Sequence, residues 1–304
     1  MISITPYLQP DKLGEYQDKL VELYMADAAL NRTIPESIRG STEWLLRQVN
    51  CFYSNKIEGN PTHPKELLKT QEGGNSDNEN NFTGAILELL VHLEAQLKAK
   101  NSSTSLSEVC TQGFIKDLHK SFYEHLPKEH LIVKDIEGRE AVDAKDRPIL
   151  IEPGEYRSLP VKVGSHVPPN AKEITSYMNW LEQMFNPERI HGTNRVIAAA
   201  ALHHRLAWIH PFQDGNGRVI RLLTDCYMRC AGFGGYGLWS ITRGFGRDTK
   251  GYYAALAEAD KPRQGDIDGR GILSDGGLLY FTKYFIDTAL DQVSYFSDLL
   301  EPRK

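Results

Sequence analysis

The sequence predicts an all-α, mainly helical fold that carries one small β-hairpin. Apolar residues recur at helical spacing through most of the chain. Residues 195–209 are apolar nearly all round, the pattern of a buried central helix. Gly, Pro and a Val-x-Val alternation, the hairpin signal, are concentrated in 153–169. Three regions follow: an N-terminal helical region 1–100, a core 101–232, and C-terminal helices 233–304 that pack on it.

Composition sets the class. A chain of 304 residues with 40% hydrophobic and 25% charged residues is long enough for a sizeable core and ordinary for a globular protein. A formal net charge of −5 gives no general attraction to nucleic acid or anionic membrane. No run nears the ~18 apolar residues of a membrane span, and the N-terminus lacks the basic-then-apolar pattern of a secretory leader. A cytoplasmic location is therefore expected, with no nucleic acid and no membrane as partner. Four cysteines, Cys51, Cys110, Cys226 and Cys230, are few for this length; Cys226 and Cys230 share a helix face but lack partner ligands at metal spacing and are assigned as core thiols.

The elements follow in order. Residues 13–30 are predicted helical. So are 42–58, where Leu45, Leu46, Val49, Phe52, Tyr53 and Ile57 form an apolar stripe, Gly59 caps the end and Asn60-Pro61 prevents continuation. The polar, Gly- and Asn-rich stretch 71–81 is a loop, and 86–97 resume helical spacing. After a polar break at 101–107, Ser105-x-x-Glu108 is a capping box opening a helix to Phe122. His119, His125 and His130 have no metal spacing and are assigned to structure. Residues 131–152 match no element. Residues 174–185 form a helix ended by Asn186-Pro187. Beyond 195–209, Val219, Leu222, Leu223, Cys226, Tyr227 and Cys230 form one face of a further helix, with Gly232 at C′. A Gly-rich connection spans 232–246, a helix begins at Gly251, a loop spans 265–277, and 278–300 form a long amphipathic helix. No internal repeat is evident.

The chemistry concentrates at 210–221, which begin His-Pro-Phe-Gln-Asp-Gly-Asn-Gly-Arg and end at Arg221. This is a tight loop over a helix N-terminus, where unpaired N–H groups and a partial positive charge favour anions. Gly215 and Gly217 let successive N–H groups converge on a phosphate. Arg218 and Arg221 add fork-shaped cationic donors. Asp214 is a hard oxygen ligand that suits Mg²⁺ beside phosphate. His210 can accept a proton near neutral pH. Together these residues describe a nucleotide phosphate site, and the chain has no G-x-x-x-x-G-K-[ST] Walker loop.

His210 to Arg221 resembles the full signature of the Fic family, H-P-F-x-[D/E]-G-N-G-R-x-x-R. Two further segments extend the resemblance, which covers roughly 45–300. Ser54-x-x-x-Glu58-Gly59, taken alone a helix end with an exposed glutamate, is similar to the inhibitory motif of the Fic class whose inhibitory helix, here about 42–59, is N-terminal. Residues 153–169 are similar to the flap that covers the Fic active site, where Val161, Lys162 and Val163 would be the edge that pairs with an extended target segment.

The resemblance implies transfer of AMP from ATP to a Ser, Thr or Tyr hydroxyl of a target protein. His210 would be the base. Asp214 would hold Mg²⁺ (or Mn²⁺). Asn216, with the N–H groups of Gly215 and Gly217, would form the anion hole. Arg218 would bind the β/γ-phosphates, and Arg221 the γ-phosphate once Glu58 has left it. Phe212 would anchor the loop in the core, and Tyr252, Tyr253 and Leu256 are candidates for the adenine site or for plain core packing. A target docked at the flap edge, self-modification and a homodimer are also implied. Two alternatives stay open: a related Fic enzyme that removes AMP or moves another phosphate-containing group, and a non-catalytic nucleotide-sensing module locked by Glu58.

Overall fold

The computed structural model describes residues 2–60, 79–101, 105–135 and 137–300, side chains at 79–86 and 100–101 excepted. The polar stretch 71–78 predicted to be loop lies outside them. The helices are α1 (Tyr16–Thr33), α2 (Glu36–Ile57), α3 (Glu79–Asn101), α4 (Gln112–Tyr123), α5 (Ile174–Met184), α6 (Asn194–Ile209), α7 (Asn216–Cys230), α8 (Ile241–Arg247), α9 (Thr249–Ala259) and α10 (Asp275–Leu300). No helix among the described residues is long and apolar enough to cross a membrane.

The centre is α6. Val196 to Leu202 are buried without a break, as an all-round apolar helix requires. It packs against α7 and α10, while α10 also carries α1, α8 and α9. On the other side α2 packs on α8 and α3, and α3 on α4, which reaches α7. The catalytic-loop candidates thus sit at the junction of α6 and α7, with α2 alongside.

Several boundaries differ from expectation for identifiable reasons. Helix α2 begins six residues early, because Pro35 sits at its N-cap, a compatible place for a fixed φ. Helix α3 starts at Glu79, inside the stretch expected to be loop. The Ser105/Glu108 box does not open α4. Thr111 does, accepting the Phe114 N–H at 3.2 Å. The Gly-rich connection contains α8, whose Gly244 and Gly246 permit close helix contact: a Cβ on Gly246 would lie 2.7 Å from Tyr53 of α2.

Residues 131–151, without an expected element, form two tight turns around three short extended pieces. Val133 donates to Ile149, Ile149 to Ala141 and Ala141 to Val133, which closes a triangle of backbone bonds. Two eight-residue units correspond, contrary to the expected absence of repeats. Asp135 pairs with Arg139 and Asp143 with Arg147, and Gly138 and Asp146 take the left-handed conformation at matching positions. The 153–169 segment holds one antiparallel bridge, Val163 to His166, around Gly164 and Ser165, in place of a longer hairpin.

Candidate active site

His210 ends α6 in the left-handed conformation, φ 50° and ψ 62°, which non-glycine residues rarely adopt. The turn ends the helix and starts the loop. Nδ1 lies 3.4 Å from the Ala207 carbonyl, so the proton belongs on Nδ1 and the Nε2 lone pair is free. Burial lowers the imidazole pKa to about 4, with Arg157 and His166 adding in the same direction and Glu58 opposing. His210 is thus neutral at pH 7, as a general base must be.

The loop is closed from inside by Asn216. Its Oδ1 accepts the Phe212 N–H at 2.9 Å and its Nδ2 donates to the Phe212 carbonyl at 2.8 Å. The side chain expected in the anion hole therefore also shapes the loop, and the Asn216 backbone N–H lies at the helix end. Phe212 is fully buried and stacks on His119, ring centroids 4.0 Å apart, so it anchors the loop in the core. Gly215 takes φ 75°, and a Cβ there would sit 2.5 Å from the Tyr123 hydroxyl oxygen. Only glycine fits.

The first rung of α7 is Val219 N–H to the Gly215 carbonyl at 3.0 Å. The N–H groups of Asn216, Gly217 and Arg218 precede it and face out of the helix end, the donor set of an anion site. Arg218 donates to the Tyr123 hydroxyl at 2.7 Å and lies 3.8 Å from Asp214 Oδ2. Asp214 is exposed, and its Oδ1 accepts the Gly215 N–H at 2.6 Å. No cluster of three or more metal-ligating side chains occurs among the described residues. One exposed carboxylate fits a Mg²⁺ that takes its remaining ligands from substrate phosphates and water.

Arg221 is buried and bonded to the end of α2. Nε donates to Ser54 Oγ at 2.8 Å, and Nη2 to the Ser54 carbonyl at 3.1 Å and to Glu58 Oε1 at 2.6 Å. Burial works against the guanidinium charge, yet Glu58 beside it holds its pKa above the ordinary value. Glu58 is held at the end of α2 by a Schellman turn. Gly59 is at φ 88°, its N–H bonds the Lys56 carbonyl at 3.1 Å, and the Asn60 N–H bonds the Asn55 carbonyl at 2.9 Å. The carboxylate reaches the first turn of α7, where a Cβ on Gly217 would collide with Glu58 Oε1. The Glu58 carboxylate therefore lies beside the first turn of α7, paired with Arg221.

The remaining predicted residues divide. Val163 uses both backbone groups on His166 (3.0 and 2.9 Å), so it cannot also pair with a target. By strand alternation the outward-facing backbone groups there belong to Lys162, while Val161 makes no bridge. Tyr252 is buried in the core, with its hydroxyl 2.8 Å from His203 Nε2 and its side chain next to Arg221. Tyr253 is exposed and donates to the Ile57 carbonyl at 3.2 Å, and Leu256 is half buried against the core. Sequence reasoning missed Tyr123 and Arg157, and gave His119 only a general structural role. His119 accepts the Gly154 N–H at 2.8 Å and stacks beneath the loop. Arg157 was visible only as one letter of the 153–169 pattern.

Comparison with known proteins agrees with this geometry. Residues 110–228 match the Fic/DOC family. The chain is 28% identical over 232 residues to the protein adenylyltransferase Fic of Nematostella vectensis, covering 73% of this chain and 45% of that protein. It is 29% identical over 227 residues to that of Drosophila grimshawi, covering 73% and 39%. It thus spans less than half the length of these curated relatives. Among solved structures, a Fic family protein from Desulfovibrio desulfuricans G20 superposes with TM-score 0.64 at 16% identity, covering 100% of this chain and 78% of that one. A Fic domain containing signaling protein from Bacteroides thetaiotaomicron VPI-5482 gives 0.65 at 20%, covering 94% and 100%. At these identities the structural likeness shows the fold. The chain carries a Fic/DOC-family domain.

Proposed function

We propose that this chain is a protein adenylyltransferase that moves AMP from ATP to a Ser, Thr or Tyr hydroxyl of a target protein, and that Glu58 holds it inactive. The observation that carries the reading is the 2.6 Å pair between Arg221 and Glu58 at the N-terminal turn of α7. A carboxylate there fills the seat that a terminal phosphate would take. The names of the matched relatives support the same activity.

In the transfer, the target hydroxyl oxygen attacks the α-phosphorus as its proton passes to Nε2 of His210. The bond from the α-phosphorus to the bridging oxygen breaks, and pyrophosphate leaves. The N–H groups of Asn216, Gly217 and Arg218 meet the phosphate charge, Arg218 the β/γ-phosphates, and Arg221 the γ-phosphate when Glu58 is displaced. Asp214 would hold Mg²⁺ or Mn²⁺, which supplies neutralisation of phosphate charge. The edge at Lys162 offers main-chain groups to an extended target segment.

The test uses α-labelled ATP with Mg²⁺ on wild type, Glu58→Gly, and Glu58→Gly with His210→Ala, reading label fixed on the protein. Label in the second form, little in the first and none in the third is expected. Equal label in the first two removes the inhibitory role. ATP bound with no label in any form, even with a proteome extract as target, favours a sensing module. A second reading, removal of AMP with Glu58 positioning water, is favoured by the 37% exposure of the Glu58 side chain. It predicts that wild type strips label from protein modified by the Glu58→Gly form.

A further inference from the structure

The guanidinium of Arg157 joins the 153–169 segment to the residue that ends α6. It is buried, and every hydrogen bond it makes goes to a carbonyl. Nε donates to the His210 carbonyl at 2.8 Å, Nη2 to the Pro169 carbonyl at 2.5 Å and Nη1 to the Leu159 carbonyl at 3.3 Å. The Arg157 backbone N–H donates to the Pro211 carbonyl at 2.9 Å. Among the described residues no carboxylate pairs with it. The side chain therefore ties both arms of the segment to His210, and the backbone N–H of the same residue holds Pro211.

We propose that Arg157 is a positioning residue: it fixes His210 in its left-handed conformation as a neutral base and couples that conformation to the seating of the 153–169 segment. The proposal rests on His210 being the base.

Two physical arguments support it. A left-handed backbone at a non-glycine residue persists only when its surroundings over-determine it. Here the carbonyl of the strained residue is held by the Arg157 side chain and that of the next residue by the Arg157 backbone N–H. The second argument is electrostatic. A helix C-terminus carries partial negative charge and favours a protonated histidine. Arg157 places a permanent cation on that end, opposing the tendency, and it is among the groups that hold the His210 pKa down. The other charged or titratable neighbours are His166 of the same segment, which bonds the Trp208 carbonyl at 2.8 Å, and Glu58 at the end of α2. Of these charged groups Glu58 acts in the opposite sense, as does the hydrogen bond to the Ala207 carbonyl. When the segment shifts on its target, Arg157 moves with it, and the His210 carbonyl follows.

The test is a side-chain ¹⁵N–¹H titration of the histidines in the full chain, with the His210 signal assigned by its loss in His210→Ala. Wild type should show the Nδ1–H tautomer down to acidic pH. Arg157→Met should move the His210 midpoint up toward the ordinary histidine range and mix the tautomers. Arg157→Lys keeps the charge without the fork, so the midpoint should stay low while the tautomers mix. In the Glu58→Gly background both variants should lower kcat by about 10–100-fold with the KM for ATP unchanged, the scale of a small misplacement of a catalytic group. A folded Arg157→Met with unaltered His210 titration and tautomer overturns the proposal. If that variant does not fold, an Arg157→Lys protein with wild-type tautomer and rate does so. Absence of transfer by Glu58→Gly itself would count against the adenylyltransferase reading, and the titration would still decide the role of Arg157.

Discussion

Replacing Glu58 should change ATP affinity by an amount that follows from one contact. Glu58 gives Arg221 a single charge-assisted bond of 2.6 Å, with its side chain 37% exposed. Such bonds contribute ~1.5–3 kcal/mol, and solvent screening of a partly exposed carboxylate places this one near the lower end, about 1.5–2 kcal/mol. At about 1.4 kcal/mol per factor of ten, the closed pose is favoured roughly 10–30-fold. Apparent affinity for a ligand that needs the open pose is reduced by the same factor. Glu58→Gly should therefore tighten ATP binding about 10–30-fold, and Glu58→Gln, which retains a neutral acceptor, should fall between it and wild type. ADP, without a γ-phosphate, should bind all three forms alike. Isothermal titration of both nucleotides checks this. An ATP series that is flat, or an ADP series that changes in parallel, would refute the claim that Glu58 and the γ-phosphate compete for Arg221.

Four other outcomes are expected. In the Glu58→Gly background, His210→Ala should slow transfer by about 10²–10⁴-fold while ATP affinity by titration stays the same. Gly215→Ala should lower stability by roughly 2–4 kcal/mol, read as a fall in Tm, since it combines a left-handed alanine with a clash; an unchanged Tm would contradict the fit of Tyr123 beneath Gly215. His204 is buried, accepts from Arg205 Nη1 at 3.1 Å and donates to Asp260 at 2.9 Å, with its pKa lowered to about 4 by burial first. Above about pH 6.5 both folded and unfolded forms are neutral there; below it the unfolded chain takes the proton first, so stability should fall from about pH 6.5 to about 4. Urea midpoints that do not decline over that window, or decline equally in His204→Gln, would exclude His204 as the cause. Amide exchange across 42–57 should be the same in wild type and Glu58→Gly.

What could be seen in the sequence was local. The 210–221 loop is dictated residue by residue by its own backbone: a left-handed Gly215, a clamp from Asn216 to Phe212, and free N–H groups at the start of α7. Glu58 was visible because the turn that presents it, with Gly59 and Asn60, is equally local. The contacts that align these parts were hidden by distance along the chain. Arg157 and His210 are 53 residues apart, and Tyr123 and Arg218 are 95 apart. Composition also misled where one residue type serves two purposes. Gly244 and Gly246 suggested a loop, yet they let α8 approach α10 and α2. Residues 131–151 lacked a helical or strand period because their backbone bonds close a triangle and not a regular ladder, and their period of eight, Asp135 to Asp143 and Arg139 to Arg147, went unread.

The relative cost of two motions indicates where inhibition would be relieved. Undocking α2 would expose Leu46, Cys51 and Ile57, and would break the buried bond from His92 Nδ1 to Asn55 Oδ1 (2.7 Å). It would also separate Lys56 Nζ from the Gly246 carbonyl (3.3 Å) and Tyr53 from its seat against Gly246. At about 1.5–3 kcal/mol for each large apolar side chain, plus about 1 kcal/mol for each buried hydrogen bond, that amounts to several times the Glu58 contact. Rotating Glu58 alone breaks one partly exposed bond at a helix end. It leaves Ser54 in place, with both of its bonds to Arg221 intact, so the guanidinium stays aimed at the first turn of α7. On this accounting α2 would remain docked in the active form of the proposed enzyme and would form one wall of its nucleotide site, with the switch confined to the single side chain at its C-terminal end.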